Sequence, residues 1–171
     1  MMNLALDEQY VGEKLAPFNP INKDGLIVAL NMLDVVTLIP DSVFYDLGCG
    51  DGRALVEACR MNGYISAVGI EYDLSLCGRA REIIMAEGYE SRAQVVHGNV
   101  IGCKIDNASA IFIYLVPEGL KALKNDLLAA LERNVRIVTY VFSIPGLKPA
   151  RVEVYKSSTK LYLYTRESLV F

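Results

Sequence analysis

The chain has 171 residues, 53 % of them hydrophobic and 22 % charged, which suits one domain with a sizeable core and excludes disorder as its main state. Lys and Arg number 17 against 20 Asp and Glu, a net charge of −3. That balance argues against a domain held to nucleic acid mainly through its phosphates, although a local basic patch stays open.

The cysteines are Cys49, Cys59, Cys77 and Cys103, and His97 is the single histidine. No Cys-x-x-Cys pair is present, so a zinc site of Cys and His is not expected, and no metal is assigned. The thiols read as reduced, in a cytoplasmic compartment. The longest apolar run, residues 110–116, is far short of a membrane span, and residues 1–14 match neither a signal nor a transit peptide.

Pro17-Phe18-Asn19-Pro20 is a turn or loop. Residues 23–38 carry apolar side chains at near-helical spacing, with Asn22 or Asp24 as the cap and Pro40 as the stop. Residues 42–47 read as a short buried strand. Residues 53–61 read as a helix with Leu55, Val56, Ala58 and Cys59 inward. Residues 65–70 form the next strand. Residues 74–87 are helical, with Leu76, Ala80, Ile83 and Ile84 inward and Gly88 as the stop. Residues 93–97 are a short strand, and 110–116, the most apolar, are placed centrally. Residues 120–133 put Leu120, Leu123, Leu127, Leu128 and Leu131 on one helical face. Residues 135–142 are a strand, and residues 151–155 and 160–164 alternate around Ser157-Ser158 as an antiparallel hairpin. The tail tyrosines Tyr155, Tyr162 and Tyr164 are most simply strand formers, with a partner-binding edge as the alternative.

Strand and helix alternation needs right-handed crossovers and gives a parallel sheet covered on both faces. Ligands of such sheets bind beyond the carboxyl ends of the strands, where the strand order reverses. The segment that fits this place is Asp46-Leu47-Gly48-Cys49-Gly50-Asp51-Gly52-Arg53, a strand running into three alternate glycines and then a helix. The glycines permit a tight turn, and the helix start offers free N–H groups. Nineteen residues after Gly52 comes Glu71, at a strand end, where a carboxylate can accept both hydroxyls of a ribose.

A dinucleotide and S-adenosylmethionine both fit that outline. Asp46 would face a pyrophosphate unfavourably, and the spacing is Gly-x-Gly-x-Gly, not Gly-x-Gly-x-x-Gly. S-adenosylmethionine brings an ammonium and a sulfonium, which suit Asp46. The combination of two acids and three glycines selects the methyl donor.

These residues resemble the first motif of the class I S-adenosylmethionine-dependent methyltransferases, and Glu71 matches their ribose-binding acid. Gly98-Asn99 falls where that family commonly carries Gly-Asp near the adenine. Within the class, the chain is most similar to the protein-lysine methyltransferases of the ATP-synthase c-subunit and the adenine-nucleotide translocase, and distantly to Dot1-type enzymes. The shared features are a proline-containing loop and helix before the motif, the Asp-Leu-Gly-x-Gly-Asp-Gly-Arg run, and a strand ending in Val116-Pro117. The family's loop typically reads Pro-x-Val-Pro-Ser/Thr, where this chain has Pro17-Phe18-Asn19-Pro20-Ile21, and the family's hydrophobic targeting segment is missing.

The resemblance implies an α/β, Rossmann-like, doubly wound sheet of seven strands, mostly parallel, with an antiparallel C-terminal hairpin. Residues 1–171 form one domain, with 1–41 as a lid and 42–171 as the cofactor-binding core. The cofactor is S-adenosylmethionine, held by Asp46, Gly48, Cys49, Gly50, Gly52, Glu71, Tyr72, Asn99 and Val100. Phe18, Asn19 and Tyr114 are the candidates around the acceptor. A protein lysine is the leading acceptor. An Asn/Asp-Pro-Pro-Tyr/Phe strand end, frequent where base amines are methylated, is absent from Tyr114-Leu115-Val116-Pro117. Other RNA acceptors, a small-molecule acceptor, and a non-catalytic binding module on the same fold are the alternatives.

Overall fold

The computed structural model describes residues 21–170. The chain enters through helix α1 (Lys23–Met32), whose start is fixed by the Asn22 side chain accepting the Gly25 N–H at 2.9 Å. A 3-10 turn (Val35–Thr37) leads to strand β1 (Val43–Leu47), then α2 (Arg53–Met61), β2 (Ser66–Glu71), α3 (Leu74–Ala86), β3 (Ala93–His97), β4 (Ala110–Ile113), α4 (Pro117–Glu132) and β5 (Arg136–Tyr140). Strands β6 (Arg151–Tyr155) and β7 (Thr159–Tyr164) form the closing hairpin, and a second 3-10 turn (Arg166–Leu169) follows.

The seven strands form one sheet in the order β3-β2-β1-β4-β5-β7-β6. The first five are parallel, and β7 pairs antiparallel with both β5 and β6. The expected doubly wound, mostly parallel sheet with an antiparallel hairpin is therefore present, and 110–116 does supply the central strand. Strand order reverses between β1 and β4, and ligands of such sheets bind beyond the carboxyl ends of the strands at that point.

Period-two alternation sorts side chains onto two faces. Phe44, Ala67, Phe112, Val138 and Leu161 join the core under α1, α2 and α3, with Leu26, Leu30, Leu55, Cys77 and Ala80. Tyr45, Leu47, Ile70, Ile111, Ile113 and Ile137 join the core under α4, with Leu120, Leu123, Leu127 and Leu131. Both faces of the central strands are thus buried, which explains their near-continuous apolar runs.

Two boundaries and one inward position differ notably from the sequence reading. The helix expected over 23–38 stops at Met32: Asp34 takes a left-handed φ of 53°, and Asn62 takes over the next carbonyls, donating from Nδ2 to Val35 O at 2.9 Å and Leu38 O at 3.0 Å. Strand β4 stops at Ile113, because Val116 is already the N-cap of α4 and Pro117 its first residue. In α3 the inward position falls to Cys77, fully buried, while Leu76 is half-buried. Of the lid proposed over 1–41, residues 1–20 lie outside the described residues. Within 21–41, Leu26, Leu30, Met32 and Leu33 are core.

Candidate functional site

The loop after β1 is held by the neighbouring strand. Gly48 and Cys49 both donate main-chain N–H groups to Ile70 O, at 2.8 and 3.0 Å, and Gly52 closes the turn on Cys49 O at 2.9 Å. Gly48, Gly50 and Gly52 have φ of 87°, 55° and 79°, values that L side chains adopt at a cost. Below the loop lies Gly69 of β2. A Cβ there would stand 2.7 Å from Cys49 Cβ and 2.8 Å from Leu55 Cδ1, so bare backbone is needed. Gly69 escaped the sequence reading, because the signal is a contact across strands and not a motif.

Three acids converge on this loop. Asp46, next to last in β1, is 4 % exposed and accepts no side-chain hydrogen bond among the described residues. Burial, then the nearby Glu71 and Asp51 charges, hold its pKa well above the usual aspartate range. Glu71 ends β2. Its Oε2 accepts the Gly50 N–H at 2.8 Å and its Oε1 the Asp73 N–H at 2.9 Å, so it bridges the loop and the start of α3. Asp51 is almost fully buried and is gripped by Arg53, through Nε at 2.9 Å and again through Nη2. Burial pushes the Asp51 carboxyl up, but the Arg53 hydrogen bonds and charge outweigh it and leave the pKa below the ordinary value. The remaining Arg53 nitrogen, Nη1, donates to Ile21 O at 3.1 Å, clasping the chain before α1 to the loop.

The other expected cofactor residues surround this nucleus. Cys49 is buried against Gly69, and its thiol is pushed up by burial and by Asp46 and Glu71. Tyr72 is 42 % exposed and lies beside His97, ring centroids 6.3 Å apart. Gly98 N–H donates to Glu71 O at 2.9 Å, which brings the Asn99-Val100 loop up to the same edge. Asn99 Oδ1 accepts the Ile101 N–H at 2.9 Å, and Val100 is buried in the core under α4. Among the described residues no group of three or more His, Cys, Asp or Glu side chains is placed to hold a metal.

Of the acceptor candidates, Phe18 and Asn19 lie outside the described residues. Tyr114, just beyond β4, is half-buried and meets Tyr140 edge-on, centroids 5.0 Å apart. Tyr140 was not legible as a site residue, since it ends β5 as an ordinary strand former would. The loop after β1 thus gathers three acids, of which Asp51 is paired by Arg53 and Asp46 is not paired among the described residues. It can hold a cation beside Asp46, while the N–H groups of Gly48, Cys49, Gly50 and Gly52 are already paired within the chain.

The chain also matches known proteins. Residues 46–151 match the family model described as the ANTKMT methyltransferase domain. A protein-lysine N-methyltransferase of Saccharolobus islandicus (strain REY15A) is 31 % identical over 140 residues, 80 % of this chain and 87 % of that relative. A carboxy-S-adenosyl-L-methionine synthase of Mannheimia succiniciproducens is 28 % identical over 121 residues, spanning 67 % of this chain and 50 % of the relative. Among solved structures, an RNA methyltransferase from Salinibacter ruber in complex with S-adenosyl-L-homocysteine superimposes with a TM-score of 0.78 at 29 % identity, covering 86 % of this chain and 93 % of that one.

Proposed function

Because the chain belongs to the ANTKMT methyltransferase-domain family and is an S-adenosylmethionine-dependent methyltransferase, we propose that the three-acid crevice holds the donor and that the acceptor is the ε-amine of a protein lysine. The observation that carries the donor site is Asp46: a buried carboxylate without a hydrogen-bonding partner among the described residues, facing two more acids. Such a group asks for a cation, and the donor brings a sulfonium and an ammonium. Asp46 takes the ammonium end, and Gly48, Cys49, Gly50 and Gly52 line the amino-acid portion with main-chain groups. Glu71 already accepts two main-chain N–H bonds, and its remaining lone pairs serve the ribose hydroxyls. Tyr72, Asn99 and Val100 flank the nucleoside.

When bound, S-adenosylmethionine supplies a methyl group whose transfer to an amine uses the nitrogen lone pair for the new N–C bond, returns the C–S pair to sulfur, and moves the positive charge from sulfur to nitrogen. The chain's own contribution is placement and exclusion of water, worth up to about 7–11 kcal/mol in well-oriented reactions. Tyr114 walls the acceptor side, and its apolar setting favours the neutral amine by desolvating the ammonium form. Phe18 and Asn19 are further candidates to meet the acceptor. No side chain is assigned as a strong base.

The lysine acceptor is supported by the Saccharolobus islandicus relative, which the chain matches over most of both lengths. An RNA acceptor is the second reading, favoured by the name of the Salinibacter ruber enzyme. Incubation with methyl-labelled donor and a cell extract, followed by nuclease or by protease, separates the two. The expected label survives nuclease, is lost with protease, and maps to lysine by mass spectrometry. Label destroyed by nuclease overturns the lysine reading.

A further inference from the structure

The amino edge of the sheet carries a cleft that the donor site does not use. Strands β5 and β7 run antiparallel, so Arg136, the first residue of β5, lies near Thr165, just past the end of β7. Arg151, the first residue of β6, stands opposite Leu163 of β7. The second 3-10 turn adds Arg166 and Glu167. Together with Asn134 these residues line an open cleft of about 380 Å³. Asp46 and Glu71 stand at the carboxyl ends of β1 and β2, so the two places share no residue.

The chain as a whole is acidic, at −3, yet this lining sets three guanidinium groups against one carboxylate. A guanidinium offers five N–H donors and no acceptor. Arg136 uses Nη2 for Met32 O, at 2.7 Å, and for Asp34, at 3.2 Å, while its Nε is buried with no acceptor. Arg151 uses Nη2 for Glu153, at 3.1 Å. Neither Asp34 nor Glu153 lines the cleft. The Arg166 side chain has no hydrogen bond or ion pair among the described residues, and those of Asn134 and Glu167 have none either. Thr165 Oγ1 already accepts the Glu167 N–H, at 3.3 Å. Donors therefore outnumber acceptors in a concave setting, where the field of clustered like charges is concentrated.

We propose that this cleft binds the phosphate group of a phosphate monoester, at a site separate from that of the methyl donor. A dianion offsets the positive charge that the three arginines hold beyond Glu167. Its three terminal oxygens accept from more than one guanidinium at a time, and each planar fork pairs two donors with two oxygens. A carboxylate, with one charge and two oxygens, engages fewer of the donors. Glu167 is the one lining group that repels the anion, so removing its charge strengthens binding. The phosphate belongs either to a free small ester or to a phosphorylated side chain of a protein, and both present the same three oxygens. The site does not depend on which acceptor the enzyme methylates.

The test titrates the full chain calorimetrically with phenyl phosphate, with benzoate, and with a short neutral phosphoserine peptide. The wild type is expected to bind both phosphates saturably at one site and benzoate about 10-fold more weakly. Arg166→Ala should weaken phenyl phosphate about 10-fold or more, and Arg151→Ala by a smaller factor. Glu167→Gln should tighten it by about 2- to 5-fold, a gain that damage to the fold does not produce. S-adenosylmethionine affinity should be the same in all three variants. Tighter binding of the peptide than of phenyl phosphate assigns the phosphate to a protein, and the reverse order assigns it to a small ester. Phenyl phosphate and peptide bound no better than benzoate, or an affinity for both that Arg166→Ala leaves unaltered, overturns the site. Loss of donor affinity in Arg166→Ala overturns its separation from the donor loop.

Discussion

The two edges of the sheet are built on opposite principles. At the amino edge, long side chains satisfy the main chain. Arg92 donates to Asn62 O at 2.9 Å, Ile65 O at 3.1 Å and Cys59 O at 2.9 Å, and Asn62 in turn caps the 3-10 turn. Arg136 donates to Met32 O at 2.7 Å and pairs with Asp34 at 3.2 Å. At the carboxyl edge the polarity is inverted. Buried carboxylates gather with too little positive charge. One edge pairs main-chain carbonyls with the chain's own long side chains, although Arg136 Nε is buried there without a partner, and the other is, in the function proposed above, completed by a cationic ligand. Stability and donor binding are therefore separable along the same strands.

The strongest way to break that contrast is Asp46→Ala. It should weaken S-adenosylmethionine binding by about 100-fold or more in calorimetry, because a desolvated charge pair loses one partner. The fold should stay intact by circular dichroism. Binding within a few-fold of wild type would show that the acids do not define the site. The mirror experiment is Arg92→Ala, which strands three carbonyls. Chemical denaturation should report a loss of about 2–4 kcal/mol, with donor affinity unchanged once the protein is folded. Equal damage to donor affinity would mean that the edges are coupled.

Gly69→Ala tests the boundary between them. The new methyl group meets Cys49 and Leu55, so a loss of about 1–3 kcal/mol is expected, accompanied by weaker donor binding as the loop is displaced. Adding Cys49→Gly should restore part of both, a coupling readable in a double-mutant cycle.

The smallest effect is a pH dependence. Asp46 has a raised pKa in the folded chain, so above the ordinary aspartate range the folded state keeps a proton that the unfolded state releases. Stability of the ligand-free protein should then fall as pH rises toward that raised value, by at most about 1.4 kcal/mol per pH unit. Asp46→Asn should abolish this contribution, and saturating donor should flatten it. A slope of opposite sign in the wild type that disappears in Asp46→Asn would refute the assignment.

The same contrast explains what the sequence disclosed. Strand alternation, the glycine run and the spacing from Gly52 to Glu71 are local, and they carried the sheet and the acids of the carboxyl edge. The break in the first helix was hidden, because its carbonyls are taken by Asn62, a residue beyond β1 and α2. Asp51 and Arg53 stood in the motif, but the clasp on Ile21 depends on where α1 enters. Tyr140 and Tyr155 looked like strand formers, because what distinguishes them is their meeting with Asn22 and Gly25 across most of the chain.

The acids around Cys49 have one more effect. A sulfur anion next to an activated methyl group would be a rival nucleophile, and the enzyme would alkylate itself. Burial beside Asp46 and Glu71 keeps that sulfur protonated and turned onto Gly69. With the donor placed as proposed, the same acids would also protect the protein from it.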